Sequence, residues 1–418
     1  MIDILKKYRR RFFLFFAVFG PATITAMADN DASGVATYSI AGAQLGYPIL
    51  LILLLITILL GITQEMGIRL ALVTRKGLGD LIRENFGVKV SLFIFALLFI
   101  ANMGTIIVDL AAVKVTSQML HFPAIPTMIV VIILTFVFVI KGNYKLNQNI
   151  MLFSCLFYLA YIFSAVKAHP NWSLAITNLI IPHGVKLTPE YFRNYILIGL
   201  GVLGTTVTPW GQFFISSFAF DKKIEIERLK YSQFETYWGA FLTDFFSFFM
   251  IVATAATLYI HHISLVSGEQ AALAIKPFAG DLAGTLFAIG ILNAGFMGIV
   301  TVSLSTAYAF AEFFGLSGSL DTSFTKSRVF YLIFIFQLIA AGVVVLLPNV
   351  SLFGLVIATQ VLNAMMLPFI FFYLLKLTNN VSIMGEKINS AFQRNFGLIS
   401  VIVISAASLL ALVFTFIK

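Results

Sequence analysis

The sequence predicts an all-α, polytopic membrane protein. Hydrophobic residues make up 60% of its 418 residues and charged residues only 11%, too few to cover the surface of a soluble domain. Apolar runs of roughly twenty residues recur along the whole chain, and each is long enough to cross a hydrocarbon core of about 30 Å as a helix. The alternation of apolar and polar residues that membrane strands need is absent.

The apolar runs predict about eleven transmembrane helices in a single transmembrane domain over residues 1–418. The basic cluster at the N-terminus precedes a run that is too long for a signal peptide, so we take this run as the first span. The predicted spans lie near residues 12–42, 46–72, 91–119, 123–140, 149–167, 194–219, 232–259, 281–313, 328–346, 351–375 and 395–417.

Lysine and arginine set the predicted orientation. With the N-terminus in the cytoplasm, most of the 27 basic residues fall in cytoplasmic loops, as the positive-inside rule requires, and the C-terminus lies outside. The net charge of +9 is therefore a topology signal and does not indicate a nucleic-acid surface. We expect a multi-pass protein of a prokaryotic-type plasma membrane, with the lipid bilayer as its main partner.

Ionisable residues at membrane depth are costly, and they usually mark ion or proton pathways. Acidic side chains far outnumber basic ones inside the predicted spans, although the whole chain is basic. An excess of buried carboxylates suits a passage for cations or protons. The acids are Asp29, Asp31, Glu65, Asp109, Asp244 and Glu312.

Two predicted spans contain residues that interrupt helices. The first has Gly-Pro at residues 20–21 and a run of Asp, Asn, Ser and Gly within residues 28–34. The sixth has three glycines within residues 199–204, and Pro209 frees a backbone carbonyl. An ordinary proline kink, or a cap by Asp31 on a second half-helix, would also explain such breaks.

Interrupted helices placed five spans apart are typical of inverted-repeat transporters with a binding site at the bilayer midplane. We predict that spans one to five form one repeat over about residues 12–168. Spans six to ten form the second over about residues 192–376, and an extra helix follows at about 395–417. No GxxxxGK[ST] nucleotide motif, HExxH metal pair or Ser/Lys dyad is present, so we predict neither an enzyme nor a resident cofactor.

The first span resembles the first helix of the Nramp metal-ion transporter family. Residues 20–21 and 41–47 fit the family pattern GP...GAxxGY, and Asp31 then falls on the aspartate of its DPGN motif. Residues 32–33 are Ala-Ser instead of Pro-Gly, and Gly34 stands where the family has its metal-binding asparagine. The resemblance implies a LeuT/APC-like fold with discontinuous helices 1 and 6.

The sixth span strengthens this resemblance. Residues 204–209 align with the family pattern GAxxMP, so Thr208 replaces the methionine that binds soft metals, and residues 208–213 (TPWGQF) look like the Nramp-related magnesium transporters. Residues 64–66, 109–111 and 358–362 also resemble family segments, so the similarity extends over most of the chain.

The resemblance implies a metal site between the two broken helices. Its predicted residues are Asp31, Gly34, Thr205, Thr208, Trp210, Gly211 and Gln360. Asp29, Glu65, Asp109 and Asp244 are candidates for the pathway.

Several of these residues have a second interpretation. Glu65 could pair with Arg69 one helical turn away. Asp244 could hydrogen-bond the unwound backbone or face a vestibule. Gln360 could instead hold packed helices together through hydrogen bonds. Trp210 could either limit the size of the ion cavity or only pack between helices.

The side chains that carry protons in the family are mostly replaced. Trp210 and Ile215 stand at the positions of its two sixth-helix histidines, and Asn102 and Ala112 replace two acids of the third helix. Asp109 is kept, where it could titrate or complete a polar network.

The resemblance implies uptake of a divalent cation, with Mg²⁺ favoured and Mn²⁺ second, by alternating access with weak or no proton coupling. Hard Mg²⁺ suits oxygen ligands, and the loss of methionine and asparagine removes the soft and amide donors. The alternatives are a proton-coupled Mn²⁺/Fe²⁺ transporter and a sodium-coupled amino-acid carrier on the same scaffold. No obligatory protein partner is predicted.

Overall fold

The computed structural model describes residues 19–141, 143–263, 265, 280–347 and 352–416, and these residues form helices and connecting loops without strands. We number the helices in chain order. They are α1 Pro21–Ala28, α2 Ala32–Leu45, α3 Leu50–Thr74, α4 Leu78–Phe86, α5 Val88–Met119, α6 Ala124–Lys141, α7 Tyr144–Ser154, α8 Leu159–Lys167, α9 Trp172–Asn178, α10 Pro189–Thr206, α11 Pro209–Asp221, α12 Leu229–Thr254, α13 Asp281–Phe314, α14 Arg328–Leu346, α15 Leu352–Thr378, α16 Val381–Met384 and α17 Ala391–Phe416.

Within the described residues, ten helical segments are long and apolar enough to cross a membrane. The first predicted span is not among them, because its break leaves helices of 8 and 14 residues, and its residues 12–18 lie outside the described part of the chain. The predicted all-α polytopic fold with interrupted first and sixth spans is confirmed. The division into repeats at residues 12–168 and 192–376 stays a prediction.

The two breaks have local causes. The first helix stops at Ala28, and Asp31 adopts an extended conformation as the N-cap of α2. In the sixth span Val207 leaves helical geometry, Thr208 caps α11, and Pro209 occupies the first helical turn, where its missing N–H is harmless. The residues that break the spans are thus also the residues that start the next half-helices.

The broken spans lie inside a layer of longer helices. Helix α12 packs against α1, α2 and α3, and α13 packs along α5. Helix α10 packs against α15 and α2, where Gly204 lies directly on the carbonyl of Gln360. Small residues allow such close contacts between membrane helices. Both breaks are therefore buried at the centre of the bundle.

Helix α1 is held at its N-terminal end by groups far away in sequence. Glu235 of α12 accepts hydrogen bonds from the backbone N–H groups of Gly20 (2.6 Å) and Thr23 (3.0 Å). The first backbone N–H groups of a helix have no hydrogen-bond partner within the helix, and a carboxylate there also complements the helix dipole. Lys222 donates to the carbonyl of Phe19 (2.6 Å). Helix α1 is thus fastened to α12 and to the loop after α11.

Lys222 should give this attachment a pH dependence. Burial lowers the pKa of Lys222 from 10.5 to about 8. The negative charge of Glu235 partly opposes this shift, and the positive charge of Arg228 adds to it. Between these two values the unfolded chain binds more protons than the folded one, so this residue makes stability rise with pH. From pH 7.5 to 9.5, wild type should gain melting temperature relative to Lys222→Met.

Thermal unfolding of the detergent-purified proteins at both pH values measures this difference. Lys223→Met is the matched control, because the neighbouring Lys223 is exposed. Equal changes of melting temperature in wild type and Lys222→Met would contradict the prediction.

Candidate metal site

The N-terminus of α2 is the centre of the candidate site. Oδ1 of Asp31 accepts hydrogen bonds from the backbone N–H of Gly34 (2.7 Å) and from the hydroxyl of Ser33 (2.6 Å). The Asp31 residue is 1% exposed. Its carboxylate therefore caps a 14-residue helix at the end where the helix dipole favours negative charge.

Ser33 joins Asp31 to two residues from other helices. The backbone N–H of Ser33 donates to Oδ1 of Asp109 (3.2 Å), and its hydroxyl accepts from Nε2 of Gln360 (2.7 Å). Oδ2 of Asp109 has no hydrogen-bond partner among the described residues. Gly298 of α13 lies against both carboxyl side chains, and a methyl group there would overlap Oδ2 of Asp109. Two carboxylates thus share one helix end.

Oxygen atoms surround the position that Gly34 leaves open. A Cβ atom on Gly34 would lie 2.6 Å from the carbonyl oxygen of Asp29, 3.0 Å from Oγ1 of Thr205 and 3.4 Å from Oδ1 of Asp31. The Thr205 hydroxyl has no hydrogen-bond partner among the described residues. Three oxygens of different types therefore converge beside the first break.

The carboxylate of Asp29 connects the first break to the second. Its Oδ1 accepts from Oγ1 of Thr208 (2.8 Å), and its Oδ2 accepts from Nε2 of Gln64 (3.4 Å). Oγ1 of Thr208 in turn accepts from the backbone N–H of Gly211 (3.0 Å), where a Cβ would lie only 2.6 Å from that hydroxyl. One hydroxyl therefore caps α11 and holds the two broken spans together.

Asn30 anchors the unwound segment. Its side chain donates to the carbonyl of Thr243 (2.9 Å) and accepts from Ser247 (2.8 Å), and its own carbonyl accepts from the hydroxyl of Tyr158 (2.9 Å). Asp244, which was predicted either to bond the unwound backbone or to face a vestibule, makes none of these bonds and lines a different cavity.

Glu65 lies in a polar network that joins α3, α12 and α17. Its carboxylate pairs with Arg69 (2.8 Å) and accepts from Gln233 and Gln393 (2.7 Å each). Arg69 also donates to Asn389 (2.7 Å), so the network ties α3 to the start of α17. Glu65 and Arg69 also line a polar cavity of about 480 Å³. Of the two interpretations left open by the sequence, the structure shows the ion pair.

Trp210 is fully buried, but its ring belongs to the apolar cluster that contains Phe213 and lies edge-on to Phe214. Its carbonyl accepts from Ser305 (2.8 Å), and its indole N–H has no partner among the described residues. No hydrogen bond in the described part of the chain joins Trp210 to Asp31. Its ring is therefore assigned to packing around the second half-helix.

The positions of the replaced proton-carrying groups are filled by other contacts. Asn102 donates to Oγ1 of Thr306 (2.7 Å), Ala112 is buried in an apolar cluster, and Ile215 packs against Ala22 and Ile68.

The arrangement offers oxygen atoms and negative charge. Asp29, Asp31 and Asp109 are each at most 1% exposed, and the ion pairs of the described residues do not include them. The part of the chain that the structure describes contains no group of three or more His, Cys, Asp or Glu side chains that could hold a metal. A cation here would rely on carboxylate, hydroxyl and carbonyl oxygens. Hard cations such as Mg²⁺ prefer these ligands.

Sequence reasoning missed several contributors to this site. The sequence identifies Gln64 only as part of a family segment, and Asn30 and Ser33 only as helix breakers. Gly298 belongs to no motif, although Gly295 and Gly298 lie three residues apart and so share one face of α13. This spacing of small residues was the available signal for a close helix contact.

Comparison with known protein families gives an extended match. The profile of the family described as "Natural resistance-associated macrophage protein-like", Nramp, matches residues 22–414. The divalent metal cation transporter MntH of Erwinia tasmaniensis is 23% identical over 406 residues, which are 94% of this chain and 92% of that protein. The natural resistance-associated macrophage protein 2 homolog of Dictyostelium discoideum is also 23% identical, over 88% of this chain and 58% of its own length.

Solved structures show the same fold. The manganese transporter of Eremococcus coleocola, in complex with an aromatic bis-isothiourea substituted compound, superimposes with a TM-score of 0.78 at 19% identity, over 95% of this chain and 86% of its own. A Na⁺-coupled sialic acid symporter superimposes with a TM-score of 0.60 at 14% identity, over 93% of this chain and 89% of its own.

Proposed function

Because the chain belongs to the Nramp family, we propose that it is a divalent metal cation transporter that takes up Mg²⁺ by alternating access. The observation that carries the choice of Mg²⁺ is the oxygen-only surroundings of Asp31. Where the family has asparagine and methionine, Gly34 adds no side chain and Thr208 adds a hydroxyl. Mg²⁺ binds oxygen ligands and keeps several of its waters, whereas a thioether favours softer ions.

Several oxygens near Gly34 are candidate ligands for the ion. The Thr205 hydroxyl and Oδ2 of Asp109 lack hydrogen-bond partners within the described residues, and the carbonyl oxygen of Asp29 lies close to Gly34. We propose that these groups and Asp31 bind the ion directly or through its waters. Thr208, Gly211 and Gln360 hold the two breaks in place around it. Mn²⁺ also accepts oxygen ligands, so it is the second proposed cargo.

Weak or absent proton coupling is the second part of the proposal. Trp210 and Ile215 pack in apolar clusters, and Asn102 is tied to Thr306, so these positions offer no side chain that titrates near neutral pH. The membrane potential can drive uptake instead, because moving two charges through 100 mV supplies about 4.6 kcal/mol. We further propose a plasma-membrane location with a cytoplasmic N-terminus.

Proton-coupled Mn²⁺ or Fe²⁺ transport is the alternative. It is favoured by Asp109, which sits at the same helix end as Asp31 and keeps one oxygen without a partner among the described residues. A carrier of amino acids is disfavoured, because the N-terminus of α2, which would receive the substrate carboxylate, already carries two carboxylates.

Uptake into proteoliposomes tests the proposal. With a metal-sensitive dye and a pH dye inside and an inside-negative potential, Mg²⁺ should enter at a rate that rises with the potential, without acidification of the lumen. Cd²⁺ at equal concentration should inhibit weakly, because the site has no sulfur ligand. Acidification in proportion to the metal would establish the proton-coupled alternative. Strong preference for Cd²⁺ over excess Mg²⁺ would refute the assignment of Mg²⁺.

A further inference from the structure

A second cavity lies apart from the broken helices, between α3, α9 and α12. Its volume is about 300 Å³, the lower end of the range for small-molecule sites. Leu54, Ile176, Phe241 and Phe245 form part of its wall, and each is more than a third exposed on the outside of the bundle. In a membrane these residues face lipid, so the cavity opens toward the bilayer.

Asp244 is the one charged residue among those that line the cavity. It is 4% exposed, and neither of its carboxylate oxygens has a hydrogen-bond partner among the described residues. The hydroxyl of Thr57, which also lines the cavity, donates to the carbonyl of Leu53 (2.9 Å) and lies close to the carboxyl group of Asp244. A buried carboxylate in apolar surroundings is strongly unfavourable unless a proton or a positively charged partner neutralises it.

The walls decide which cation fits. A hydrated metal ion would have to shed water against leucine, isoleucine and phenylalanine side chains that offer no replacement oxygens. An organic ammonium ion can place its N–H groups on Asp244 and its apolar body against the walls. The rings of Phe241 and Phe245 can also attract a cation through their faces.

We propose that this cavity binds a small, lipid-soluble amine in its ammonium form, which enters from the bilayer and pairs with Asp244. The residues that line this cavity differ from those of the proposed metal site, but Asp244 lies near enough to Asp29 for their charges to interact. The proposal does not depend on which metal is carried. Its occupant would still contact the helix that anchors the first break, because Thr243 and Ser247, on either side of Asp244 in α12, both hold Asn30.

Thermal unfolding of the purified full-length protein tests this proposal with 2-phenylethylammonium as the probe. The neutral 2-phenylethanol, similar in size and shape, controls for partitioning into detergent or lipid. The amine should raise the melting temperature in a saturable manner, and the alcohol should not. Asp244→Asn should weaken the apparent amine affinity at least about tenfold, since a charged hydrogen-bonded partner is lost.

Leu54→Trp gives an independent test, because it fills the cavity and leaves the carboxylate in place. It should also weaken amine binding, whereas Leu134→Trp, at an exposed leucine of α6 outside the cavity, should not. Equal effects of amine and alcohol, or an undiminished amine effect in Leu54→Trp, would overturn the proposal. Competition between Mg²⁺ and the amine that requires Asp244 would overturn it too, because the cavity would then belong to the metal route.

Discussion

Asp31→Asn should abolish metal uptake while the protein still folds. Asparagine keeps a side-chain oxygen for the N–H of Gly34 and is as good an N-cap as aspartate, so α2 can still begin at Ala32. It removes the negative charge from the centre of the oxygen cluster. We expect uptake of Mg²⁺ to fall on the order of 100-fold, equivalent to about 2.7 kcal/mol.

Uptake into proteoliposomes at matched protein density measures this loss, and melting temperature in detergent checks the fold. Asp31→Ala is a poorer test, because it also removes the cap and confuses a folding defect with loss of a ligand. Glu190→Gln, at an exposed acid in the first turn of α10, is the control and should transport normally. Near wild-type uptake by folded Asp31→Asn would place the ion elsewhere.

Gly34→Asn should stop transport of both Mg²⁺ and Mn²⁺. The sequence suggests that asparagine here, with methionine at position 208, restores the family site and shifts preference toward softer ions. The structure leaves no room for this, because even a Cβ would lie 2.6 Å from the carbonyl of Asp29. Backbone atoms cannot move aside as a flexible side chain can, so the break must deform.

Gly34→Ala should therefore fail as well, with at least about a tenfold loss of uptake, since overpacking at a buried site costs about 1–3 kcal/mol. Gly201→Ala is the matched control, because its new methyl would make an ordinary contact with Thr37 at 3.5 Å. Uptake assays with each metal separate the two effects. A Gly34→Asn protein that gains Mn²⁺ transport would show that the break can open to admit the side chain.

The spans and both breaks could be predicted because each depends on local chemistry. Hydrophobic length defines a membrane helix, and residues that cap or interrupt helices cluster within residues 28–34 and at Thr208-Pro209. Asp31 could be named as a candidate because an ionisable residue inside a predicted span usually marks an ion pathway. The short helices α4 and α9 were missed, since neither has the length that a hydropathy signal requires.

The contacts that complete the site could not be predicted in this way. Ser33 meets Asp109 and Gln360 across separations of 76 and 327 residues, and no local pattern encodes such meetings. Glu65 was ambiguous because an acid four residues before Arg69 fits both a pathway and an ion pair. For Trp210, sequence places it beside the site, but the side-chain direction depends on the packing of α11.

The hydrogen bonds from Gly20 and Thr23 to Glu235 also bear on how the chain is made. The first half-helix emerges early in synthesis, but the carboxylate that completes its N-terminus lies 215 residues away from Gly20. Until span seven has entered the bilayer, the backbone N–H groups at the start of α1 must bond to water or to other temporary partners. Final docking of α1 is therefore a late event in biogenesis, and an insertion machinery must tolerate an unfinished first span while more than half of the chain is being translated.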